Sequence, residues 1–340
     1  MKNYINDEDL EKQLSMKEEN LYNNIYEEDS ENNIENEIKK DDIKKEKIIV
    51  NEVEKNKQSF IFNENESKAQ LGWTLINKTM MPTQGLFHDS DISYYVKSIT
   101  TKQIRDYTSI EEDDTLSISK KIDTMLSIAT KMQSKNTKLS YRDIYDIDKL
   151  FYMFAIRDLT FYNITNPLKN PTKCTNIECQ HEYHTELFSN NVIFFEPSEM
   201  IMKYYNPEEN CMSLHLDTGE SVNIKLPTIG IKEKLSEYIQ WRKKIGADIN
   251  KNAINILPYM DLDWRDIEQR TFDEVLTKMV GWSPDLYSAV VLFIREIKKC
   301  MHMKSISMCP ECGAEVTAPI RFQGGFSNFF IVQGVLERLR

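Results

Sequence analysis

The sequence predicts an α+β fold, in which a mixed helical domain carries short β-sheets. Three observations lead to this prediction. Apolar residues recur at helical spacing in the segments 117–132, 229–246 and 284–299. The shorter segments 92–99 and 212–226 have the composition or the alternation of strands. Finally, four of the six cysteines form two close pairs, which flank the predicted helical region.

Length and charge exclude several classes of protein. A chain of 340 residues is long enough for one large domain or two ordinary ones. Its formal net charge of −11 argues against a non-specific nucleic-acid binder, which usually presents a basic surface. No run approaches the roughly 18 apolar residues that cross a bilayer, and the first residues lack the apolar stretch of a secretory signal. Nothing in the sequence therefore predicts a membrane or an export route.

The charge is concentrated at the N-terminus. Residues 1–68 contain 19 acidic and 11 basic residues, a net of −8, and neither glycine nor proline. Such a segment buries too little apolar surface to offset the entropy of ordering. Two interpretations remain open: a solvated acidic tail, or an extended arm that folds along a partner.

We divide the chain into five segments by composition and pattern. They are an acidic arm (1–70), an N-terminal α+β part (71–160), a first cysteine pair with a β-hairpin region (161–228), a helical region (229–300), and a second cysteine pair with an aromatic segment and tail (301–340).

The segment 71–160 combines a loop, a strand and helices. Pro82 and Gly85 mark a loop at 80–91. Thr100 and Gln103 have the spacing of a capping box, which begins a helix. The other expected elements are a strand at 92–99, a helix at 117–132 with Ile118, Ile122, Met125, Leu126 and Ala129 inward, and a helix at 141–158 with Ile144, Ile147, Phe151 and Phe154 inward.

Strands and then helices follow. Residues 182–188 and 191–197 have the composition of short strands, and 212–226 alternates apolar residues around Asp-Thr-Gly, which predicts a hairpin. The expected helices are 229–246, ended by Gly246, 266–280, ended by Gly281, and a helix capped by Ser283 that begins at Pro284 and continues to Lys299.

The second cysteine pair has the form of half a metal site. Cys309 and Cys312 lie in C-P-E-C-G between two β-like segments. In such a turn the backbone N–H groups donate to the sulfurs, and Gly313 tolerates the backbone angles that let the chain leave. A redox dithiol is the alternative, but it usually begins a helix. The context therefore favours a zinc knuckle.

A structural zinc ion needs four ligands, so a second pair must complete the site. Cys174 and Cys179, in K-C-T-N-I-E-C-Q-H, are the natural candidates. His181 or His184 is the alternative for one of the cysteines. The isolated cysteines, Cys211 and Cys300, are expected to be small buried side chains.

The two pairs are separated by 130 residues, from 179 to 309. A transferable nucleic-acid finger of about 30 residues is therefore excluded. Four thiolates also leave zinc no open position at which to activate water. The sequence thus predicts a structural zinc in a ribbon split between two distant cysteine pairs, and it shows none of the common nucleotide-binding or hydrolase motifs. We expect a protein that is not an enzyme.

Aromatic residues crowd the C-terminal segment. Phe322, Phe326, Phe329 and Phe330 lie beside Gly324 and Gly325. They either fill the core or form a docking surface, and the following tail (331–340) has the pattern of a short amphipathic helix that packs against a neighbour.

In their order, these features resemble the baseplate hub proteins of T-even-type contractile-tailed bacteriophages. The resemblance covers roughly residues 80–330. The matching features are "PTQGLF" (82–87), "SITTKQIRDYTS" (98–109), "DIDKLFYMFAIRDLTFYN" (146–163), the first cysteine pair, "VNIKLP" (222–227), "CPECGAEVTAPI" (309–320) and "FF" (329–330).

The resemblance implies a subunit of the central hub or a factor for its assembly, structural and not catalytic. The implied partners are other hub and tail tube proteins in a large symmetric assembly, without a membrane or a specific nucleic acid, and the implied location is the virion, after assembly in the host cytoplasm. It also implies that Cys174, Cys179, Cys309 and Cys312 are the metal ligands. The alternatives are a zinc-ribbon protein that acts with nucleic acid or a polymerase, and a metalloenzyme with an open coordination position.

Overall fold

The structure is a computed structural model, which describes residues 72–112, 115–161, 168–248, 250–268, 270–322 and 325–331. The acidic arm expected at residues 1–70 lies outside the described residues, as does all but Ile331 of the tail helix expected at 331–340.

The helices vary in length from about one and a half turns to more than four turns. They are α1 (Thr101–Thr108), α2 (Thr115–Ala129), α3 (Lys149–Thr160), α4 (Glu199–Tyr204), α5 (Ile229–Lys244), α6 (Lys251–Ile256), α7 (Thr271–Val280) and α8 (Pro284–Lys299). Short 3₁₀ turns lie at Lys78–Met80, Tyr141–Asp143, Leu257–Tyr259 and Phe326–Asn328.

The strands form small antiparallel sheets. They are β1 (Thr74–Ile76), β2 (Ser93–Val96), β3 (Thr130–Gln133), β4 (Leu168–Lys173), β5 (Glu182–Leu187), β6 (Val192–Phe195), β7 (Tyr205–Asn206), β8 (Cys211–His215), β9 (Ser221–Ile224), β10 (Met301–Met308) and β11 (Glu315–Pro319). The sheet orders are β1-β2-β3, β11-β10-β6, β4-β5 and β7-β8-β9. This mixture of helices and small sheets confirms the predicted α+β class.

Two large apolar cores contain most of the buried side chains. The first lies between the sheet β1-β2-β3 and helices α2 and α3, and α3 is buried on nearly every side from Phe151 to Arg157. The second lies between the hairpin β8-β9 and helices α5, α7 and α8. A third, much smaller cluster contains Cys174, Cys309 and Val316.

Several local predictions are confirmed. The capping box of Thr100 and Gln103 is formed, with both reciprocal hydrogen bonds, and α1 follows it. Helix α8 begins at Pro284 after its Ser283 cap and ends at Lys299. The hairpin β8-β9 turns at Gly219, where φ is +87°, a value that glycine adopts without strain.

The helix expected at 141–158 begins later, at Lys149. The residues before it form the 3₁₀ turn Tyr141–Asp143 and then pair, through a bridge between Tyr145 and Thr228, with the chain that leads into α5. Asp146 N–H donates to the carbonyl of Pro227 over 2.8 Å, and Ile229 N–H donates to the carbonyl of Ile144 over 2.9 Å. Ile144 and Ile147 are nevertheless buried, as the pattern predicted.

Two other helix boundaries also differ from the prediction. The helix expected at 117–132 ends at Ala129, because Thr130–Gln133 pairs with β2 as strand β3. The helix expected at 266–280 begins at Thr271. The segment before it makes tertiary contacts through two residues. Trp264 Nε1 donates to Asp143 over 2.9 Å, and Arg265 forms an ion pair with the same carboxylate.

The aromatic residues of the C-terminal segment belong to the first core. Phe329 and Phe330 are each 1 % exposed, and Phe322 and Phe326 pack partly buried against them. A partly buried ion pair fastens this segment to α2 and to the connection between α1 and α2. Lys121 Nζ donates to Glu112 over 2.8 Å and to Ser327 over 2.5 Å, and Phe326 N–H donates to Glu112 over 3.0 Å.

Candidate metal centre

Two β-hairpins each present one cysteine pair in the connection between their strands. Cys174 and Cys179 lie between β4 and β5, and Cys309 and Cys312 lie between β10 and β11. The strand pairing stops immediately before each connection, at Lys173↔Glu182 and at Met308↔Glu315. Both pairs therefore lie at the tip of a hairpin.

The two tips close in the same way. The N–H of Cys174 donates to the carbonyl of His181, and the N–H of Cys309 donates to the carbonyl of Ala314, each over 2.8 Å. In each tip the residue after the second cysteine has a left-handed conformation, with φ of +45° at Gln180 and +73° at Gly313. The first cysteine pair, although its two cysteines are further apart in sequence, thus lies in a turn that closes like that of the second pair.

The two tips meet, and their four sulfurs form one cluster. Cys174 Sγ lies 3.6 Å from Cys312 Sγ, and Cys179 Sγ lies 3.8 Å from Cys309 Sγ. All four sulfurs lie within 4.8 Å of one another. A tetrahedral ion with metal–sulfur bonds of about 2.3 Å requires sulfur–sulfur edges of about 3.8 Å. The cluster therefore has the size and the donor set to bind one metal ion.

The cluster is buried on one side and open on the other. Cys174 and Cys309 are 3 % and 2 % exposed, and they pack against Val316, with Tyr183 and Ala314 beside them. Cys179 is half-buried, and Cys312 is exposed. Solvent therefore reaches the cluster from the side of Cys312.

The thiols differ in their tendency to ionise. Burial opposes ionisation of Cys309, but the backbone N–H groups of Cys312 and Glu311 lower the pKa of its thiol to about 7. For Cys179, the backbone N–H of His181 favours the thiolate, yet burial and the neighbouring sulfurs raise the pKa to about 12. Four thiolates cannot coexist so closely without a cation, whose charge would favour ionisation of all four.

The remaining sequence candidates lie away from the cluster. His181 stacks on Tyr183, with ring centroids 6.0 Å apart, and His184 is exposed at the position opposite Pro171 in β4. Neither histidine belongs to the cluster. Cys211 and Cys300 are both buried, as expected, and Cys300 lies in the second core.

A buried polar cluster between the two cores had no signal in the sequence. His88 lies with its side chain 2 % exposed, and its ring contacts Asp148 over 3.1 Å, Thr83 over 2.9 Å and Tyr94 over 2.6 Å. Asp148 and Thr83 are fully buried. This cluster fastens the loop 80–92 between the cores and presents no surface to a substrate.

A second feature without a sequence signal is a chain of hydroxyl groups between the two hairpins. Tyr183, Thr185 and Ser307 take part, and each lies within a few residues of a cysteine. In the sequence these three residues have the character of ordinary strand residues. Their hydrogen-bond partners lie in the other hairpin, which is distant in sequence, so the pattern does not reveal them.

No protein-family model matches this chain, and no match was found among curated proteins or among solved structures. In the part of the chain that the structure describes, no helix combines the length and the apolar character needed to span a bilayer.

Proposed function

We propose that this protein is a structural or assembly component of a contractile phage tail baseplate, in its central hub, and that a zinc ion bound by Cys174, Cys179, Cys309 and Cys312 holds its fold together. In this proposal the protein is not an enzyme. It contacts other hub and tail tube proteins within a large symmetric assembly.

One observation carries the structural role of the metal. Cysteine pairs 130 residues apart in sequence converge to sulfur–sulfur distances of 3.6 Å and 3.8 Å. Four thiolates complete the coordination of a tetrahedral zinc ion and leave no position for water or substrate. An ion bound here fastens two distant hairpins, and such a cross-link stabilises the fold that it closes.

The arrangement of the hairpins supports the finer assignment of a split zinc ribbon. In a zinc ribbon, two hairpin tips supply two cysteines each to one ion. Here β4-β5 supplies one pair and β10-β11 supplies the other. Iron also accepts four thiolates in a tetrahedron, so the metal content of the purified protein decides between zinc and iron.

The baseplate assignment is supported by the order of sequence features over roughly residues 80–330, which include the two cysteine pairs. It is also supported by two properties of the chain: a metal site without an open ligand position, and an acidic composition without the common catalytic motifs. The location in the virion and the partners belong to this proposal.

The alternative is a zinc-ribbon protein that acts with nucleic acid or a polymerase, and the two-hairpin form of the cysteine centre is the observation that favours it. The charge around the centre opposes a nucleic-acid surface. Glu178, Glu182, Glu311 and Glu315 are all exposed beside the cysteines, and zinc with four thiolates adds a formal charge of −2. Phosphates would be repelled from this end of the molecule.

Mass spectrometry of purified phage tails and of hub subassemblies, together with metal analysis of the isolated protein, tests the proposal. We expect the protein in one of these fractions and about one zinc per chain. Its absence from both fractions would contradict the baseplate role. Binding to DNA or RNA with a steep salt dependence would favour the alternative instead.

A further inference from the structure

The two hairpins that carry the cysteines contact each other through polar side chains. Along the inward face of β4 lie Asn170 and Thr172, both buried, and along that of β5 lie Tyr183 and Thr185. The facing strand β10 contributes Ser305, which is fully buried, and Ser307, which is half-buried. This interface therefore combines directed hydrogen bonds with apolar packing, since Val316 and Ala318 of β11 are buried as well.

The hydrogen bonds form a continuous chain that ends beside the cysteines. Thr172 and Thr185 share a hydrogen bond of 2.8 Å between their hydroxyls. Thr185 donates to Ser307 Oγ over 2.9 Å, and Ser307 Oγ lies 2.9 Å from the hydroxyl of Tyr183. Ser307 precedes Cys309 by two residues, and the Tyr183 ring packs against the cysteine cluster.

A second set of hydrogen bonds fastens the other end of the same interface. Asn170 Nδ2 donates to Ser305 Oγ over 3.2 Å and to the carbonyl of Pro319 over 2.9 Å. Asn170 Oδ1 accepts from Arg321 N–H over 3.0 Å. The side chain of Asn170 thus contacts β10, the end of β11 and the chain that follows.

These contacts fix the position of one hairpin along the other. A shift by one residue moves a strand by about 3.3 Å, which would break the hydrogen bonds that join the two hairpins, those of Asn170 and of Ser307. It would also separate the two cysteine pairs by nearly the length of one edge of the sulfur tetrahedron, about 3.8 Å. The two cysteine pairs have no nearby covalent connection, because 130 residues separate them.

We propose that Tyr183, Ser307 and Thr185 are positioning residues of the metal centre, which hold the two cysteine pairs at binding distance before the ion arrives. The proposal rests on the proposed metal binding by the four cysteines. It assigns to the hydroxyl chain an effect on metal affinity, in addition to its effect on stability.

The test compares zinc affinities, measured by competition with a chromophoric chelator, in the full-length protein. Tyr183→Phe removes one hydroxyl and keeps the ring that packs on the cysteines, and Ser307→Ala removes its partner. We expect each variant to bind zinc about tenfold more weakly. The double variant should bind zinc about as weakly as Ser307→Ala alone, because Ser307→Ala already removes the hydrogen bond to Tyr183, together with the one from Thr185.

Tyr107→Phe is the matched control. Its hydroxyl also makes a half-buried hydrogen bond, to the carbonyl of Phe326 over 3.0 Å, but in the first core and away from the cysteines. It should lower the melting temperature and leave zinc affinity unchanged. If Tyr183→Phe and Ser307→Ala also lower only the melting temperature, the hydroxyls have a purely structural role and the inference is wrong.

Thiol mapping gives a readout that does not require zinc. The metal-free protein is oxidised briefly with diamide, which takes two electrons and two protons from each pair of thiols, and its disulfides are identified by mass spectrometry. We expect disulfides between the hairpins in wild type, and disulfides within each pair in Tyr183→Phe. An identical pattern in both proteins would overturn the inference. Failure of wild type to bind zinc would instead overturn the proposed function.

Discussion

The indole ring of Trp264 lies directly against the backbone of Gly230 in the first turn of α5. A Cβ atom at residue 230 would come within 2.5 Å of Trp264 Cγ, closer than Cβ atoms in folded proteins come to non-bonded neighbours. The same indole donates to Asp143 over 2.9 Å. This contact places the segment before α7 across the start of α5.

Gly230→Ala should therefore destabilise the fold by about 1 to 3 kcal/mol, because the added methyl group displaces a ring that is fixed by its own hydrogen bond. Thermal or urea unfolding measures the effect. In a Trp264→Leu background the cost of Gly230→Ala should be much smaller. An equal cost in both backgrounds would mean that helix propensity, and not the indole, makes glycine necessary at residue 230.

Loss of one cysteine ligand should strongly destabilise the fold and make its unfolding less cooperative, although the metal-free protein remains folded at low temperature. Structural zinc contributes on the order of 10 kcal/mol to folding at neutral pH, which is comparable with the whole net stability of a typical domain. We expect Cys312→Ser, or removal of the metal by a strong chelator, to replace the sharp unfolding transition by a broad one. Circular dichroism at increasing temperature is the measurement.

Cys300→Ala is the control for this experiment, since Cys300 is a buried cysteine of the second core and lies outside the sulfur cluster. Its transition should stay sharp and should still respond to chelation. A wild-type protein that unfolds in the same way with and without metal would contradict the structural role of the ion.

Much of the fold could be predicted wherever a signal is local. The capping box at Thr100, the proline at the start of α8 and the glycine of the β8-β9 turn each depend on neighbouring residues alone, and all three predictions are confirmed. The burial of Ile144 and Ile147 was also predicted, although their backbone is not helical. The apolar periodicity thus predicted correctly which residues are buried, although it did not predict the type of secondary structure in which they lie.

Features that depend on distant partners could not be predicted. Strand β4 contains Pro171, and two of its inward residues, Asn170 and Thr172, are polar. Asn170 can be buried because the β10-β11 hairpin and the chain after it supply its hydrogen bonds, and the hydroxyl of Thr172 bonds to Thr185 in the neighbouring strand. The four cysteines were identified as one set because they form two close pairs in the sequence. Their convergence in space, however, depends on the interface between the β4-β5 and β10-β11 hairpins. Gln180 gave no sign of its left-handed conformation, because glutamine rarely adopts it, unlike the glycine at the corresponding position of the other tip.

Removing the glycine of one hairpin tip and introducing a glycine in the other should change the stability in opposite directions. Gly313 has φ of +73°, and a Cβ there would meet no atom within 4 Å, so Gly313→Ala costs only backbone strain, about 1 kcal/mol. Gln180→Gly should relieve a similar strain in the other tip, where φ is +45°. We expect a lower melting temperature for the first variant and a higher one for the second.

Gly313→Asn distinguishes backbone strain from any other effect of a side chain at this position, since asparagine tolerates left-handed backbone better than alanine. It should be more stable than Gly313→Ala. The reverse order would show that the new side chain disturbs the cysteine cluster directly.

Asp123 in α2 should make the protein less stable as the pH rises. Among the described residues, its Oδ1 has no hydrogen-bond partner, while Oδ2 accepts from Ser119 over 3.3 Å. Burial raises the pKa of Asp123 to about 6, although Lys149 nearby favours the charged form, and Glu233 and Asp146 add to the rise. The pKa in the folded state is therefore higher than the usual 3.8. Consequently, ionisation disfavours the folded state above pH 6, and this cost is relieved as the pH falls from 6 to 4.

Asp123→Asn should accordingly stabilise the protein at pH 8, by at most about 3 kcal/mol, and should have little effect at pH 4. Melting temperatures of both proteins across this range give the measurement. Asp91→Asn serves as a control of opposite sign, because a hydrogen bond from Ser134 lowers the pKa of Asp91. Its ionised form favours folding, so the variant should lose stability at pH 8 and lose none at pH 3. If Asp123→Asn changes stability equally at pH 4 and pH 8, packing and not the buried charge determines the effect.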